Sequence, residues 1–219
     1  MKYGAIFDMY GLLVDSEKLY QRIWIDQADE RGIELSPDFV NEVSGTNGVL
    51  RENIINKHFH TDEGKAIVAE NLKRGKEELQ KHVPLKTGVR EILQFFHDQG
   101  IRMAVASSNY EDQIRSNLER SGISPYFDAI VSGSEITHGK PAPDIFLKAA
   151  EKLELDPHDC YVFEDSLNGI RAAHTAGCAP VMIPDMMEPT EEIRAICYGI
   201  FPDMLKAIDF FREEQTEGN

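Results

Sequence analysis

The pattern of apolar and polar positions changes twice along the chain. Residues 3–7 form a short apolar run that stops at Asp8, which is the pattern of a buried strand entering a loop. From residue 16 to residue 80 apolar side chains recur at helical spacing, and glycine, proline and polar residues interrupt them. This stretch predicts four short helices and no strand. Their apolar faces are Leu19/Ile23/Trp24, Phe39/Val40/Val43, Ile54/Ile55/Phe59 and Ile67/Val68/Leu72.

After Pro84 the pattern alternates between helix and strand, which is typical of a parallel sheet with right-handed crossovers. The spacing predicts helices over 89–99, 112–122, 143–153, 167–176 and 202–211, and strands over 102–106, 129–132, 161–163 and 180–183. The fold class that follows is α/β: a doubly wound, Rossmann-like parallel sheet with an inserted all-helical cap domain. The α/β core takes residues 1–14 and 85–219, the cap takes 15–84, and the polar residues 213–219 are expected to fray.

Composition and charge exclude several classes of protein. Of the 219 residues, 42% are hydrophobic and 28% charged, as in an ordinary globular protein rather than a disordered one. The net charge of −15 and the lack of a basic block argue against nucleic acid and anionic membranes as partners. No apolar run is long enough for a membrane span, and no secretory leader is visible. We therefore expect a monomer in the cytoplasm.

The cysteines argue in the same direction. The chain has three, at positions 160, 178 and 197, and none forms a Cys-x-x-Cys pair. An odd number without that spacing predicts neither a disulfide framework nor a zinc site. A reducing compartment fits this usage.

Polar side chains follow the predicted strands, where an open parallel sheet binds its ligands. These residues are Asp8; Ser107, Ser108 and Asn109; Lys140; and Glu164 and Asp165. Each alone is an ordinary turn or helix-cap residue. Together they place a carboxylate, a hydroxyl, a cation and two further carboxylates at one edge of one sheet.

That combination predicts a metal-assisted reaction of a phosphate. Three carboxylates in one place repel one another unless a cation lies among them. Mg²⁺ suits such a site, because it takes one or two carboxylates together with waters and phosphate oxygens. Lys140 and Ser107 could then hold a transferring phosphoryl group, whose transition state needs positioning and charge neutralisation.

Four ordered motifs resemble those of the haloacid dehalogenase-like hydrolase superfamily, in its branch of β-phosphoglucomutase and sugar-phosphate phosphatases. They are FDMYGLLVDSE at 7–17, VASSN at 105–109, GKPAPDIF at 139–146 and VFEDSLNGI at 162–170. The resemblance implies an enzyme acting on a small phosphorylated metabolite, with Asp8 as the nucleophile that becomes an aspartyl-phosphate. It implies that Ser107, Ser108, Asn109 and Lys140 bind the phosphate and substrate. It also implies that Asp8, the backbone carbonyl of Tyr10, Glu164 and Asp165 bind Mg²⁺.

Tyr10 departs from the pattern of the resembled phosphatases, which carry aspartate at this catalytic position as general acid and base. A phenol with a pKa of about 10 is a poor base at neutral pH. Three interpretations stay open: a phosphatase impaired by Tyr10, a non-catalytic phosphate-binding protein, and a metal-free 2-haloacid dehalogenase. The dehalogenases carry tyrosine here but place small polar residues where this chain has Glu164 and Asp165.

A loop in the helical stretch provides the remaining candidates. Gly45, Thr46 and Asn47 lie where the resembled proteins place substrate contacts. The arginine by which mutases hold a second phosphate would fall at Gly48, so a monophosphate phosphatase is favoured over a mutase. Arg51, one helical turn further on, could substitute for that arginine, although an arginine between polar neighbours on a helix is more often a solvated side chain.

Three further side chains of the helical stretch have structural interpretations. We interpret His58 and His60 as surface residues, because no carboxylate motif accompanies them. Trp24 is expected in the core of the cap.

Overall fold

The computed structural model describes residues 1–44, 46 and 48–217. Within these residues the chain forms six strands and ten α-helices. The strands are β1 (Gly4–Phe7), β2 (Arg102–Ser107), β3 (Ala129–Ser132), β4 (Cys160–Glu164), β5 (Ala179–Met182) and β6 (Gly199–Ile200). The helices are α1 (Ser16–Asp29), α2 (Phe39–Val43), α3 (Gly48–Phe59), α4 (Gly64–Lys81), α5 (Val89–Asp98), α6 (Glu111–Ser121), α7 (Asp144–Lys152), α8 (Leu167–Thr175), α9 (Glu191–Ile196) and α10 (Met204–Glu217).

The strands form one parallel sheet in the order β3-β2-β1-β4-β5-β6. The chain first adds strands on one side of β1 and then crosses to the other side, where β4 begins the second half. A ligand site is therefore expected at the carboxyl ends of β1 and β4, where the strand order reverses. The prediction of a doubly wound α/β fold is confirmed.

The two faces of the sheet are covered by different helices. Ile6 and Val162 belong to a core cluster with residues of α7 and α8. Their neighbours Phe7 and Phe163 point to the opposite face, where their rings stack at 4.7 Å. The α5 residue Phe96 packs on both of these rings. The strict alternation of side chains along each strand thus fixes which residues pack against the helices on each face of the sheet.

The chain divides into two compact units, Met1–Val14 with Pro84–Asn219, and Asp15–Val83. The second unit contains α1 to α4, and no strand lies among its described residues. Its core includes Trp24, Phe39 and Phe59, whose rings meet edge to face at about 6 Å. The prediction that Trp24 lies in the core of the helical stretch is confirmed.

His58 corrects one expectation about this unit. The side chain is buried, and its Nε2 lies 2.9 Å from Glu42 Oε2 while its ring contacts Phe39. A nearby carboxylate and an aromatic ring satisfy the imidazole inside the unit, so the prediction of a surface residue is wrong. His60, by contrast, is exposed as predicted.

The C-terminal region also differs from the prediction. The short elements α9 and β6 were not predicted, because six and two residues are too few to show a period. Helix α10 extends to Glu217 although residues 213–219 were expected to fray. In the part of the chain that is described, no helix combines the length and the apolar character needed to cross a membrane.

Candidate active site

Asp8 is the first residue after the central strand β1. Phe7 pairs in register with Val105 on one side and Phe163 on the other, and the Asp8 amide donates to the Phe163 carbonyl at 3.0 Å. This register places Asp8 beside Glu164, the last residue of β4. Asp8 is only 8% exposed.

Lys140 joins these two carboxylates. It lies in the loop between β3 and α7, and its Nζ is 2.5 Å from Asp8 Oδ1 and 2.5 Å from Glu164 Oε1. The ammonium also lies 5.0 Å from the centre of the Phe146 ring. Burial opposes the charge, but attraction to the two carboxylates outweighs it and raises the pKa of Lys140. The ammonium is therefore charged at all physiological pH values.

Glu164 is held on both of its oxygens. Oε1 accepts from Lys140, and Oε2 accepts from the backbone amide and the hydroxyl of Ser166, both at 2.9 Å. The side chain is 1% exposed. A buried carboxylate that accepts from these three donors is fixed in position.

Asp165 lies against the loop that follows β1. A Cβ placed on Gly11 would lie 2.3 Å from Asp165 Oδ2, and Gly11 has a φ of +85°. Only glycine combines that backbone conformation with that space. Gly11 therefore allows the Asp165 carboxylate to lie against the loop that begins at Asp8.

Excess negative charge remains at this edge. Burial, together with the negative charges of Glu164 and Asp8, raises the pKa of Asp165 to about 8. Burial also raises the pKa of Asp8 to about 6, although the Lys140 ammonium works in the opposite direction. A second cation would stabilise both carboxylates in their charged form.

Ser107 ends the neighbouring strand β2 and is buried. Its Oγ accepts from the Asn109 amide at 3.4 Å, and the Asn109 carbonyl accepts from Ser132 Oγ at 2.9 Å. Ser108 is exposed at the same turn. The structure thus brings these three predicted residues to the edge that carries Asp8.

The side chain of Tyr10 is fixed by a residue that the sequence did not reveal. Asn117 of α6 donates from Nδ2 to the Tyr10 hydroxyl at 2.6 Å, and Asn117 is 7% exposed. The two residues are 107 positions apart, so no local motif links them. The phenol is held through its oxygen towards α6.

An ion pair between Lys86 and Asp185 lies at the same edge and was also not predicted. Asp185 lies in the loop that follows β5. In the same loop the amide of Ile183 donates to the Glu164 carbonyl at 2.9 Å. Both side chains of the pair are less than one fifth exposed. The Asp185 charge adds to the effects that raise the pKa of Asp165.

The loop candidates of the helical unit have a mixed outcome. Gly45 and Asn47 lie outside the described residues. Thr46 donates from Oγ1 to the Val43 carbonyl at 2.6 Å, and Arg51 donates to the Thr46 carbonyl. Arg51 is half-buried and donates to the backbone, which does not fit the interpretation of a solvated side chain. A role of Thr46 in binding substrate stays a prediction.

The donor set fits a small divalent cation. Among the described residues, no three His, Cys, Asp or Glu side chains are grouped closely enough to enclose a metal ion. Mg²⁺ needs only one or two carboxylates with waters and phosphate oxygens. Asp8 and Asp165 have raised pKa values that such a cation would lower. Metal binding by all four predicted ligands stays a prediction: Asp8, Asp165, the Tyr10 carbonyl, and Glu164, whose oxygens accept from Lys140 and Ser166.

Comparison with known proteins decides the family. The sequence profile of the family described as haloacid dehalogenase-like hydrolase matches residues 5–183. The chain belongs to the haloacid dehalogenase-like hydrolases. The resemblance inferred from the four motifs is confirmed, and so is the prediction that the chain is an enzyme of this family.

Several proteins are similar to this chain over most of its length. A phosphorylated carbohydrates phosphatase of Thermotoga maritima is 35% identical over 80% of this chain and 81% of its own length. Hexitol phosphatase B of Escherichia coli K12 is 30% identical over 83% of each chain. A crystal structure from Thermotoga maritima, provisionally named a β-phosphoglucomutase, has a TM-score of 0.80 at 26% identity and covers 97% of this chain and 99% of its own.

Asp165→Asn is expected to change stability in opposite directions with and without Mg²⁺. The native state keeps a proton on Asp165 that the unfolded chain releases above about pH 4, so without metal the free energy of unfolding falls as the pH rises towards 8. Removing this charge should raise the melting temperature of the metal-free protein at pH 8 and change it little near pH 4. Mg²⁺ should stabilise the parent and leave the variant unaffected.

Thermal unfolding in chelator and in excess Mg²⁺ tests this prediction. Asp112→Asn, which removes an exposed carboxylate of α6, is the matched control and should follow the parent in both conditions. An Asp165→Asn variant that gains as much stability from Mg²⁺ as the parent would contradict the placement of the cation beside Asp165.

Proposed function

We propose that this protein is a Mg²⁺-dependent phosphatase of small phosphorylated carbohydrates that works through an aspartyl-phosphate on Asp8. The observation that carries the proposal is the Lys140 ammonium at 2.5 Å from Asp8 at the end of the central strand. A carboxylate with a fixed cation beside it suits attack on a phosphate dianion, because the cation lowers the repulsion between the two. The phosphatase relatives support the same chemistry.

Each of the core residues has a separate proposed role in phosphoryl transfer. An Asp8 carboxylate oxygen attacks phosphorus, the bond from phosphorus to the substrate oxygen breaks, and that oxygen takes a proton from the solvent. Lys140 and the Ser107 hydroxyl hold the phosphoryl oxygens, with Ser108 and Asn109 at the same turn. Water then attacks the phosphorus of the aspartyl-phosphate and loses a proton to the solvent, the bond from phosphorus to Asp8 breaks, and inorganic phosphate leaves. Asp8 and Asp165 would hold Mg²⁺, which would supply further neutralisation of the phosphoryl charge.

The helical unit is proposed to select the substrate. We assign this role to Thr46 with its neighbours Gly45 and Asn47. Gly48 has no side chain that could hold a second phosphate, which favours a monophosphate over the bisphosphate of a mutase. The cytoplasmic, monomeric state expected from the sequence belongs to the same proposal.

Tyr10 is expected to make phosphate hydrolysis slow. Its phenol, held by Asn117, replaces the carboxylate that would pass a proton to the leaving oxygen and take one from water. Proton transfer by a positioned group contributes about 10²–10⁴-fold to such reactions. The parent chain is therefore proposed to be a slow phosphatase with intact binding of metal and phosphate.

The direct test is release of inorganic phosphate from a panel of hexose and hexitol monophosphates, with Mg²⁺ and with chelator. We expect slow release that needs Mg²⁺. Halide release from a 2-haloacid in chelator would instead establish the metal-free dehalogenase that Tyr10 also fits. No phosphate release together with thermal stabilisation by Mg²⁺ and beryllium fluoride would establish a non-catalytic phosphate-binding protein.

A further inference from the structure

The Ser166 hydroxyl lies between the start of α8 and the buried carboxylate Glu164. Its Oγ accepts from the Gly169 amide at 3.1 Å, as the N-cap of α8. The same oxygen donates its proton to Glu164 Oε2 at 2.9 Å, and the Ser166 amide donates to that oxygen as well. Ser166 therefore caps the N-terminus of α8 and orients the Glu164 carboxylate.

Gly169 makes room for this arrangement. A Cβ at this position would lie 1.9 Å from the Glu164 carboxyl carbon and 1.9 Å from Oε1. Glycine is among the least favourable residues inside a helix, and here it stands in the first turn of α8. The close approach of the Glu164 carboxyl explains the residue, since any side chain would displace it.

The carboxylate so fixed is the second partner of Lys140. Glu164 Oε1 lies 2.5 Å from Lys140 Nζ, which lies 2.5 Å from Asp8 Oδ1. Lysine has a long, flexible side chain, and one ion pair leaves it several conformations. The second bond, to a carboxylate that cannot move, restricts the ammonium to the place where Asp8 reacts.

We propose that Ser166 and Gly169 are positioning residues for Lys140: acting through Glu164, they hold its ammonium beside Asp8. The inference rests on the proposed function only for its effect on turnover. Its structural content, the fixed position of Lys140, is independent of whether the protein transfers phosphate.

The alternative is that Ser166 serves only as a helix cap, and a set of variants separates the two roles. Ser166→Ala removes the cap and the bond to Glu164 together. Ser166→Thr keeps a hydroxyl for both. Thr190→Ala removes an equivalent cap, because Thr190 Oγ1 accepts from the Ile193 amide at 3.3 Å at the start of α9. Thr190→Ala thus controls for loss of a cap alone.

The first readout is the rate at which an amine-reactive reagent labels Lys140, measured by peptide mass spectrometry on the folded protein. We expect Ser166→Ala and Gly169→Ala to be labelled severalfold faster than the parent at Lys140. Ser166→Thr and Thr190→Ala should be labelled at the parent rate. Equal labelling of Lys140 in the parent and in a folded Ser166→Ala variant would overturn the proposal.

The second readout is hydrolysis of p-nitrophenyl phosphate with Mg²⁺. Removing a charge-assisted hydrogen bond should make Ser166→Ala about 10-fold or more slower in kcat, with Ser166→Thr restoring it. Adding Ser166→Ala to Lys140→Met should cause no further loss, because both changes remove one function. Additive losses in kcat would overturn the proposal that Ser166 acts through Lys140. A parent without any hydrolysis would contradict the proposed function, and the labelling of Lys140 would still decide the inference.

Discussion

Tyr10→Asp is expected to raise kcat on alkyl phosphate esters by about 10²–10⁴-fold. An alkyl oxygen leaves as a basic alkoxide unless it receives a proton as the bond to phosphorus breaks. A carboxyl group can supply that proton and later take one from water near neutral pH, whereas a phenol with a pKa of about 10 remains protonated there. The substitution leaves the proposed nucleophile Asp8 unchanged, together with Lys140 and Ser107.

The gain should depend on the leaving group. p-Nitrophenolate leaves without needing a proton, so its phosphate ester should gain less than a hexitol phosphate. Tyr10→Phe is the matched control, because it also removes the bond to Asn117 but creates no carboxyl group. Steady-state kinetics with both substrates measures the difference. An equal gain in Tyr10→Phe and Tyr10→Asp, or no gain in Tyr10→Asp, would contradict the account of Tyr10.

Asp8→Asn is expected to reduce phosphate release to the uncatalysed background. The amide keeps the shape of the side chain but cannot act as a nucleophile towards phosphorus. The variant should still fold, because burial penalises the Asp8 charge and Glu164 remains as a partner for Lys140. A phosphate-release assay on Asp8→Asn, checked for melting temperature, tests this. Residual turnover close to the parent rate would exclude Asp8 as the nucleophile.

Much of this site could be predicted because the sheet determines it. Parallel strands end at one edge, so Asp8, Ser107 and Glu164 come together from positions that are far apart in the chain. Lys140 could also be predicted at this edge, because it lies in the loop that follows β3. Its double ion pair depends on a side chain that reaches back to β1 and β4, and the sequence shows only that the charges are compatible.

The supporting residues could not be predicted, because tertiary contacts define them. Asn117 is one polar residue on the amphipathic helix α6, and only the packed structure brings its amide to Tyr10. The role of Gly169 depends on a distance to Glu164 that no local pattern encodes. The burial of His58 in the helical unit could not be predicted for the same reason, because it depends on contacts with Phe39 and Glu42 from another helix.

Transfer of a phosphoryl group to Asp8 is the central claim, and intact-mass and peptide mass spectrometry after incubation with acetyl phosphate and Mg²⁺ test it most directly. Acetyl phosphate releases acetate without needing a proton, so Tyr10 should not prevent the first step and should slow the second. We predict a single phosphoryl adduct on the peptide that contains Asp8, lost in chelator, absent from Asp8→Asn and shorter-lived in Tyr10→Asp. An adduct on another residue, or one that persists in Asp8→Asn, would contradict the account.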